Sequence, residues 1–417
     1  MRSEQLLVLR SAHVIGQWAD GWFNRLLHQK RVATVMGYDP SLQLIHETDF
    51  VRAVHAAIEK RLTGIYNLAP CDALPLHKIL QAASVGRLAL PWLVLWSRCR
   101  AGSGGEGKSS PAARFAYLRY PCTASGERLA EETGIRFSAR SALEQFLEEA
   151  GKPAPDLADF TDPHGLDVPS IHRASNGWLK FLEKVYFRVE RKGFEHIPKH
   201  GPALLVGPHR GFMPLDAVTV VQMVTKYTGR VPRFLLHPSL VKLGVLAPFM
   251  RRMGGVMACK KNADEVLQSG ELLGIYPEGI RGPFKYYREV YELGRFGRPD
   301  FAKFALEHAA PVVPFVIVGC AEIYPIFGKL NWNWVKKHLE WPFLPVTLNL
   351  FGLPLPTKWH LQFLPPVDPA DALAEAEQTG REAYHVIVAH VKRRIEEATA
   401  EMRRKRKSVF FGKVFSE

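Results

Sequence analysis

No stretch of the 417-residue sequence approaches the roughly 18–20 uninterrupted apolar residues that a helix needs to span a bilayer. The opening MRSEQLLVLRSAH also lacks the continuous apolar core of a secretory signal. Any membrane contact is therefore expected to be peripheral. Cysteine is scarce. Cys71, Cys99, Cys122, Cys259 and Cys320 are odd in number and widely scattered, with no C-x-x-C and no histidine spacing that would build a metal site. This argues against a disulfide framework and a zinc centre, and it fits a reducing, cytoplasmic compartment. A Gly-rich βαβ turn that would seat a dinucleotide pyrophosphate is missing as well, so NAD(P) binding is not expected.

Basic charge, by contrast, is plentiful. The net charge is +14, of which residues 151–417 carry +10 and residues 1–150 only +4. Such an excess attracts polyanions: nucleic acid, anionic headgroups, or phosphorylated substrates such as coenzyme A thioesters and glycerophosphates. No nucleic-acid-binding motif accompanies it, so a nucleic-acid partner is not expected. The length exceeds one ordinary core, and 47% hydrophobic residues suffice to fill two.

The periodicity is α/β. QLLVL (5–9) and LTGIYNLA (62–69) read as short buried strands, with DFVRAVHAAIEKR (49–61) between them at helical spacing. His46 and Asp49 fall at a strand-to-helix junction, where capping by Thr48 or Asp49 is expected. LPWLVLW (90–96) is followed by a Gly/Ser-dense loop. Pro, Asp and Gly accumulate at 151–170, which reads as the linker between domains 1–150 and 171–417. After it, HRASNGWLKFLEKVYFRVERK predicts an amphipathic helix running into a strand. GPALLVGPH (201–209), RFLLH (233–237), ELLGIYP (271–277) and PVVPFVIVGC (311–320) are further strands separated by helical segments, and a long helix ends near RRKRK (403–407).

Chemistry concentrates at two strand ends. In GPHRGFMPLD (207–216) an apolar strand delivers His209, and Asp216 follows a Gly/Pro turn. A histidine titrating near neutrality can take a proton from a substrate hydroxyl while a carboxylate fixes its tautomer. In GIYPEGIRGPFK (274–285) Glu278 precedes Gly279, Arg281 and Lys285, a set suited to gripping an anion. Alone, the first segment reads equally as a turn capped by His209 with Asp216 starting the helix, and the second reads better as an ordinary Pro-Glu-Gly turn with solvated charges.

Together they resemble the glycerolipid acyltransferases related to the lysophosphatidic acid acyltransferases. That family carries a His–Asp block, a basic block, a Phe-Pro-Glu-Gly-Thr-Arg block and a proline-valine strand. The matching segments, in the same order, are PHRGFMPLD (208–216), GGVMACKKN (254–262), YPEGIRG (276–282) and APVVPFVIVG (310–319), and they cover most of residues 171–370. Six residues separate His209 from Asp216 where four are usual, and Ile280 replaces the threonine. The longer spacing resembles a bacterial branch grouped with monoacylglycerol and diacylglycerol acyltransferases, as do segments 295–325 and 353–359. The resemblance implies a general base at His209, oriented by Asp216. It implies an acceptor site shaped by Glu278, Gly279 and Arg281, with Lys260 a weaker contact to the same anion. The donor would be an acyl-CoA or acyl carrier protein thioester, with no tightly bound cofactor. A non-catalytic membrane scaffold of the same fold is the alternative.

Residues 6–146 are similar to the second half of an extended short-chain dehydrogenase or nucleotide-sugar epimerase, through LVLRSAHVIG (7–16), LQLIHETDFVRAVHAAIE (42–59) and GIYNLA (64–69). The expected architecture is thus a partial Rossmann-type epimerase lobe, without the first half that would hold its cofactor turn, followed by an acyltransferase domain with a central sheet flanked by helices. A fusion whose N-terminus is missing would be bifunctional. For the membrane, Trp332, Trp334 and Trp341 with adjacent lysines suit the headgroup boundary or, equally, the domain core or an acyl tunnel. RRKRK with Phe410, Phe411 and Phe415 reads as an anionic-lipid contact or a solvated helix end. The expected location is the inner face of a membrane.

Overall fold

A computed structural model describes residues 6–36, 38–90, 117–120, 122–152, 162, 164–211, 213–238, 240, 246–294, 296, 299–347, 349 and 353–415. The expected apolar run beyond residue 90, the Gly/Ser loop and most of the expected linker lie outside these residues. The chain divides into two compact units, Met1–Gly165 with Gly244–Phe249, and Leu166–Leu243 with Met250–Glu417.

The first unit carries its strands as short pairs. β1 (Leu7–Ser11) runs parallel to β6 (Gly64–Leu68), β2 (His13–Ile15) to β5 (Leu44–His46), and β3 (Arg31–Val35) to β8 (Gly86–Leu90), while β4 (Ser41–Leu42) is antiparallel to β7 (Leu74–Pro75). The helix Glu47–Glu59 connects β5, the partner of β2, to β6, the partner of β1. Its cap differs from the sequence expectation. His46, fully buried, is the N-cap, its Nδ1 accepting from the Thr48 N–H at 3.3 Å. The other ring nitrogen therefore carries the proton and donates to Glu149 at 3.1 Å. Thr48 and Asp49 lie inside the first turn, past the position at which a side chain can cap.

The second unit is built on a seven-stranded sheet. Its strands are β9 (Glu190–Lys192), β10 (Ala203–Val206), β11 (Pro232–Leu236), β12 (Gly255–Met257), β13 (Leu272–Ile275), β14 (Val312–Val318) and β17 (His360–Phe363), in the spatial order β12-β11-β13-β10-β14-β17-β9. The five strands from β12 to β14 are mutually parallel, and only the β14–β17 pairing is antiparallel. β10 and β14 are buried at every position, as parallel strands covered on both faces must be. One core joins β10, β13 and β14 to helices Lys260–Gln268, Asp300–Glu307, Pro369–Thr379 and Ala383–Lys405. No residue of the helix Leu215–Thr228 enters that core. A separate antiparallel pair, β15 (Ile326–Leu330) with β16 (Leu344–Thr347), flanks the helix Asn333–Leu339.

The expected amphipathic helix before β9 is broken at Gly177 and finishes as a π-turn, Leu182–Tyr186. The turn delivers Glu183 inward, where its carboxylate accepts from Gln222 at 2.8 Å, Lys226 at 2.7 Å and Tyr227 at 3.3 Å. Trp178, Phe181 and Val185 are left exposed. The polarity is thus opposite to that of a helix packed on its apolar face alone.

The C-terminal helix stays regular to Lys405, and the next residue is neither solvated nor frayed. Arg406 is buried, its guanidinium 2.6 Å from the buried Glu322 and within reach of the Lys358 and Val409 carbonyls. Burial works against its charge, but Glu322 and the Tyr291 hydroxyl outweigh that and hold its pKa above the ordinary value. The basic run therefore divides, with Arg406 reserved for an internal carboxylate.

Candidate active site

Strand order and chain direction fix the place of the site. From β10 the chain crosses to β11 on one side, whereas from β13, which neighbours β10, it crosses to β14 on the other. Crossovers leaving two adjacent parallel strands in opposite directions open a crevice at their carboxyl ends. The strands are in register there, Val206 opposite Ile275, and the Gly207 N–H donates to the Ile275 carbonyl at 3.3 Å. The next residues on β10 lead to His209 and those on β13 to Tyr276 and Glu278. Gly282 brings the two loops into contact, since a Cβ there would lie 2.7 Å from the His209 carbonyl oxygen.

His209 and Asp216 meet despite their long spacing: Nδ1 lies 2.7 Å from Oδ2. The Asp216 side chain is fully buried near the start of the helix Leu215–Thr228. A carboxylate so placed needs its hydrogen bonds met internally, and it accepts from the Ala217 N–H at 2.8 Å and the Arg210 N–H at 3.2 Å as well as from the imidazole. An ionised carboxylate can only accept, so Nδ1 carries the proton and Nε2 holds the free lone pair. Nε2 has no hydrogen-bond partner among the described residues, and the side chain is 19% exposed, enough for a substrate hydroxyl to reach it.

Behind the imidazole stands an aromatic column. The Tyr276 ring stacks on His209 at 4.7 Å between centroids and 23° between planes, and Phe234 stacks on the other side of Tyr276 at 5.1 Å. Gly274 makes room for the column, because a Cβ there would come within 2.6 Å of the Phe234 ring. Gly274→Ala is therefore expected to displace Phe234 and Tyr276 and to cost about 1–3 kcal/mol of stability by overpacking, readable as a lowered urea midpoint with unchanged m-value. A change within 0.5 kcal/mol would show that the column repacks freely. The Tyr276 hydroxyl is buried without a partner among the described residues, and burial, with Asp216 nearby, pushes its pKa well up, so the phenol stays neutral.

The Glu278 loop is held from beneath. Glu278 is buried and its Oε1 accepts from Lys285 and from the Gly294 N–H at 2.9 Å. Lys285 also donates to the Glu292 carbonyl at 2.7 Å. Arg210, next to the candidate base, is buried and donates to the carbonyls of Val290, Tyr291 and Glu292. Burial lowers its pKa, with Glu278 pulling the other way. The Tyr291 hydroxyl donates to Glu322 at 2.6 Å, joining this segment to Arg406. Sequence reasoning missed Arg210, Tyr291, Glu322 and Arg406 in this bracing. Only Arg210 had a local signal, its adjacency to His209.

The remaining candidates fall in two places. Gly279, at φ +55°, starts the short 3-10 turn Gly279–Arg281, and Arg281 is exposed with no described partner, so its guanidinium is open to an anion. Lys260 heads a different helix and is already neutralised, 2.5 Å from Glu307 and 3.5 Å from Asp264. The hydrogen bond to Glu307 is the main reason that its pKa is raised. None of its described contacts touches the His209 or Glu278 loops. A cleft of about 360 Å³ in the first unit, lined by His13, Asp20, Trp22 and Phe23 among others, contains no residue of the four matched blocks. Burial lowers its His13 to about 4, so that imidazole is neutral at pH 7.

Residues 188–318 match the family model described as Acyltransferase, a span that contains His209, Asp216, Glu278 and Arg281. An uncharacterised protein of Mycobacterium tuberculosis is 34% identical over 243 residues, 56% of this chain and 67% of that one. A Bos taurus protein named DGAT1/2-independent enzyme synthesizing storage lipids is 25% identical over 205 residues, 49% of this chain and 60% of that one. Among solved structures, the Thermotoga maritima 1-acyl-sn-glycerophosphate acyltransferase PlsC aligns over 55% of this chain and 82% of its own, at 20% identity and a TM-score of 0.35. A Bacillus cereus UDP-N-acetylglucosamine 4-epimerase aligns over 34% and 46% at 15% identity, with a TM-score of 0.23. The chain belongs to the acyltransferase family, and it is an acyltransferase enzyme.

Proposed function

We propose that this acyltransferase moves a fatty acyl group from an acyl thioester, of coenzyme A or acyl carrier protein, to a hydroxyl of a glycerolipid acceptor. The observation that carries the reading is the 2.7 Å bond from Nδ1 of His209 to the buried Asp216, which leaves Nε2 of a partly exposed ring without a described partner. Nε2 takes the acceptor's hydroxyl proton as its oxygen attacks the thioester carbonyl. The tetrahedral adduct then collapses with loss of the thiolate, which receives the proton from the imidazolium. Neither step requires an acyl-enzyme or a metal. Arg281 is the open cation for a phosphate on donor or acceptor, while Glu278 is turned inward and shapes the loop. The storage-lipid name of the bovine relative supports a glyceride acceptor.

The substrate would be met at a bilayer surface, on the cytoplasmic face. No described helix is long and apolar enough to cross a membrane. Phe327, Leu330, Trp332 and Trp334 are all more than half exposed, beside Lys329, Lys336 and Lys337. Indole rings among lysines suit the headgroup boundary of an anionic membrane. This patch joins the site loop, since Tyr287 packs on Phe327 at 5.6 Å and its N–H donates to the Ile326 carbonyl at 3.0 Å. Replacing both Trp332 and Trp334 by Ala is expected to lower co-sedimentation with anionic vesicles roughly tenfold and to leave hydrolysis or transfer of a soluble short-chain donor intact. Undiminished sedimentation would move the membrane face elsewhere.

The function is tested by thiol release from acyl-CoA with a panel of lysophospholipid and monoacylglycerol acceptors. Acceptor-dependent release, with the acylated product recovered, supports the reading and identifies the acceptor. Release that no acceptor stimulates, with neither acyl-CoA nor acyl carrier protein as donor, would overturn it.

A further inference from the structure

Asp216 controls His209 only within the plane of the ring. It bonds one nitrogen and leaves the imidazole free to tilt about that bond. The groups that restrain tilting lie on the faces, and one face is covered by Tyr276. We infer that the Tyr276 ring, rather than its hydroxyl, is a positioning residue for proton transfer: it holds the imidazole plane and stabilises the imidazolium formed when the acceptor is deprotonated. This rests on His209 acting as the base.

Three observations support it. The stacking is nearly parallel, and the 4.7 Å separation is inside the distance at which a cation is attracted to an aromatic face. Tyr276 cannot retreat, because Phe234 stacks behind it and Phe315 meets it edge-on at 6.0 Å. Its hydroxyl is buried and makes no hydrogen bond to His209, Asp216 or any other described residue, so the ring face is its contact with the imidazole. The aromatic face thus acts where charge develops, and it does so without solvent rearrangement. Tyr276 lies one residue beyond β13, where pairing to β10 sets it against the His209 loop.

The sign of the pH effect follows. A π face attracts the imidazolium that forms as the acceptor is deprotonated. Losing the face should move the acidic limb of the pH–rate profile to lower pH and lower the plateau rate. The other titratable or charged groups around the pair are Asp216 on Nδ1, Arg210 on the same loop, the Glu278–Lys285 pair on the facing loop, and the Cys320 thiol after β14, which is coupled to both Tyr276 and Arg210. None of these groups is itself removed by a change at position 276, and the ring-fluorinated variants keep an aromatic ring between them.

The test is made in the full chain, with His209→Ala measured alongside. Tyr276→Phe should retain activity within about twofold. Tyr276→Leu should lose roughly three- to tenfold in kcat, with the acidic limb lowered by about half a unit to one unit. To separate loss of the π face from loss of folding, phenylalanine bearing one, two and three ring fluorines is also placed at position 276 by nonsense suppression. Fluorine drains the π face at nearly constant shape, so the limb should fall progressively along the series. An unmoved limb across the series overturns the inference, as does a Tyr276→Phe variant that is as impaired as the leucine one. An active His209→Ala would instead remove the base itself, and with it the functional reading, whatever position 276 does.

Discussion

His209→Ala is expected to lower acyl transfer at pH 7–8 by about 10²–10⁴-fold, the usual range for losing a general base, with little change in stability. The magnitude follows from position. Nε2 is the ring nitrogen left without a described partner on a side chain that is 19% exposed, whereas Asp216 is fully buried and bonded to Nδ1 and to backbone N–H groups. Alanine leaves the Asp216 carboxylate its three backbone donors, Arg210, Gly211 and Ala217, so folding should survive. His209→Gln should be as inactive as alanine, because an amide offers Asp216 a donor but the substrate no base. Asp216→Asn should be less severe in chemistry but more harmful to the loop, since the amide must turn a donor toward a backbone N–H. The measurement is thiol release under saturating donor and acceptor, with thermal unfolding recorded on the same samples. Residual activity above a tenth of wild type in His209→Ala would rule out the imidazole as the base.

The second large effect concerns stability. Arg406→Ala is expected to destabilise the protein by about 3–5 kcal/mol, the range for stripping one partner from a buried ion pair. Glu322 would remain buried with only the Tyr291 hydroxyl facing it. Arg406→Lys should recover part of the loss. An ammonium can meet the carboxylate but cannot also span the Lys358 and Val409 carbonyls that the guanidinium reaches. Replacing both residues by Met should be far milder than Arg406→Ala, because no charge is then stranded. Urea titration of the four proteins decides the matter. A cost below 1 kcal/mol for Arg406→Ala would place the pair in the class of surface salt bridges. Tyr291 also hands this pair to the segment that holds Arg210 and Lys285, so acceptor KM should rise in Arg406→Ala even where folding is complete.

The sequence by itself determined the elements whose signal is local. β10, β13 and β14 are apolar runs ended by Gly or Pro, and they occur where expected to within a few residues. The His-Asp block and the Glu-Gly-x-Arg block were legible because each is contiguous and sits at a strand end. The tertiary structure decided which of their charges are free. Glu278 and Arg281 are three residues apart, yet one is buried against Lys285 and the other is open to solvent. Lys260 reads as an anion ligand until its helix brings it to Glu307 and Asp264. Glu183 reads as the polar side of a helix until a π-turn carries it beneath Lys226. Glu322 and Arg406 lie 84 residues apart, and nothing in either neighbourhood marks them as partners. Local periodicity reports which residues share a face of one element. It does not encode which elements the sheet order makes neighbours, and in the buried crevice of a parallel sheet those neighbours fix whether a charge is neutralised or left open to substrate.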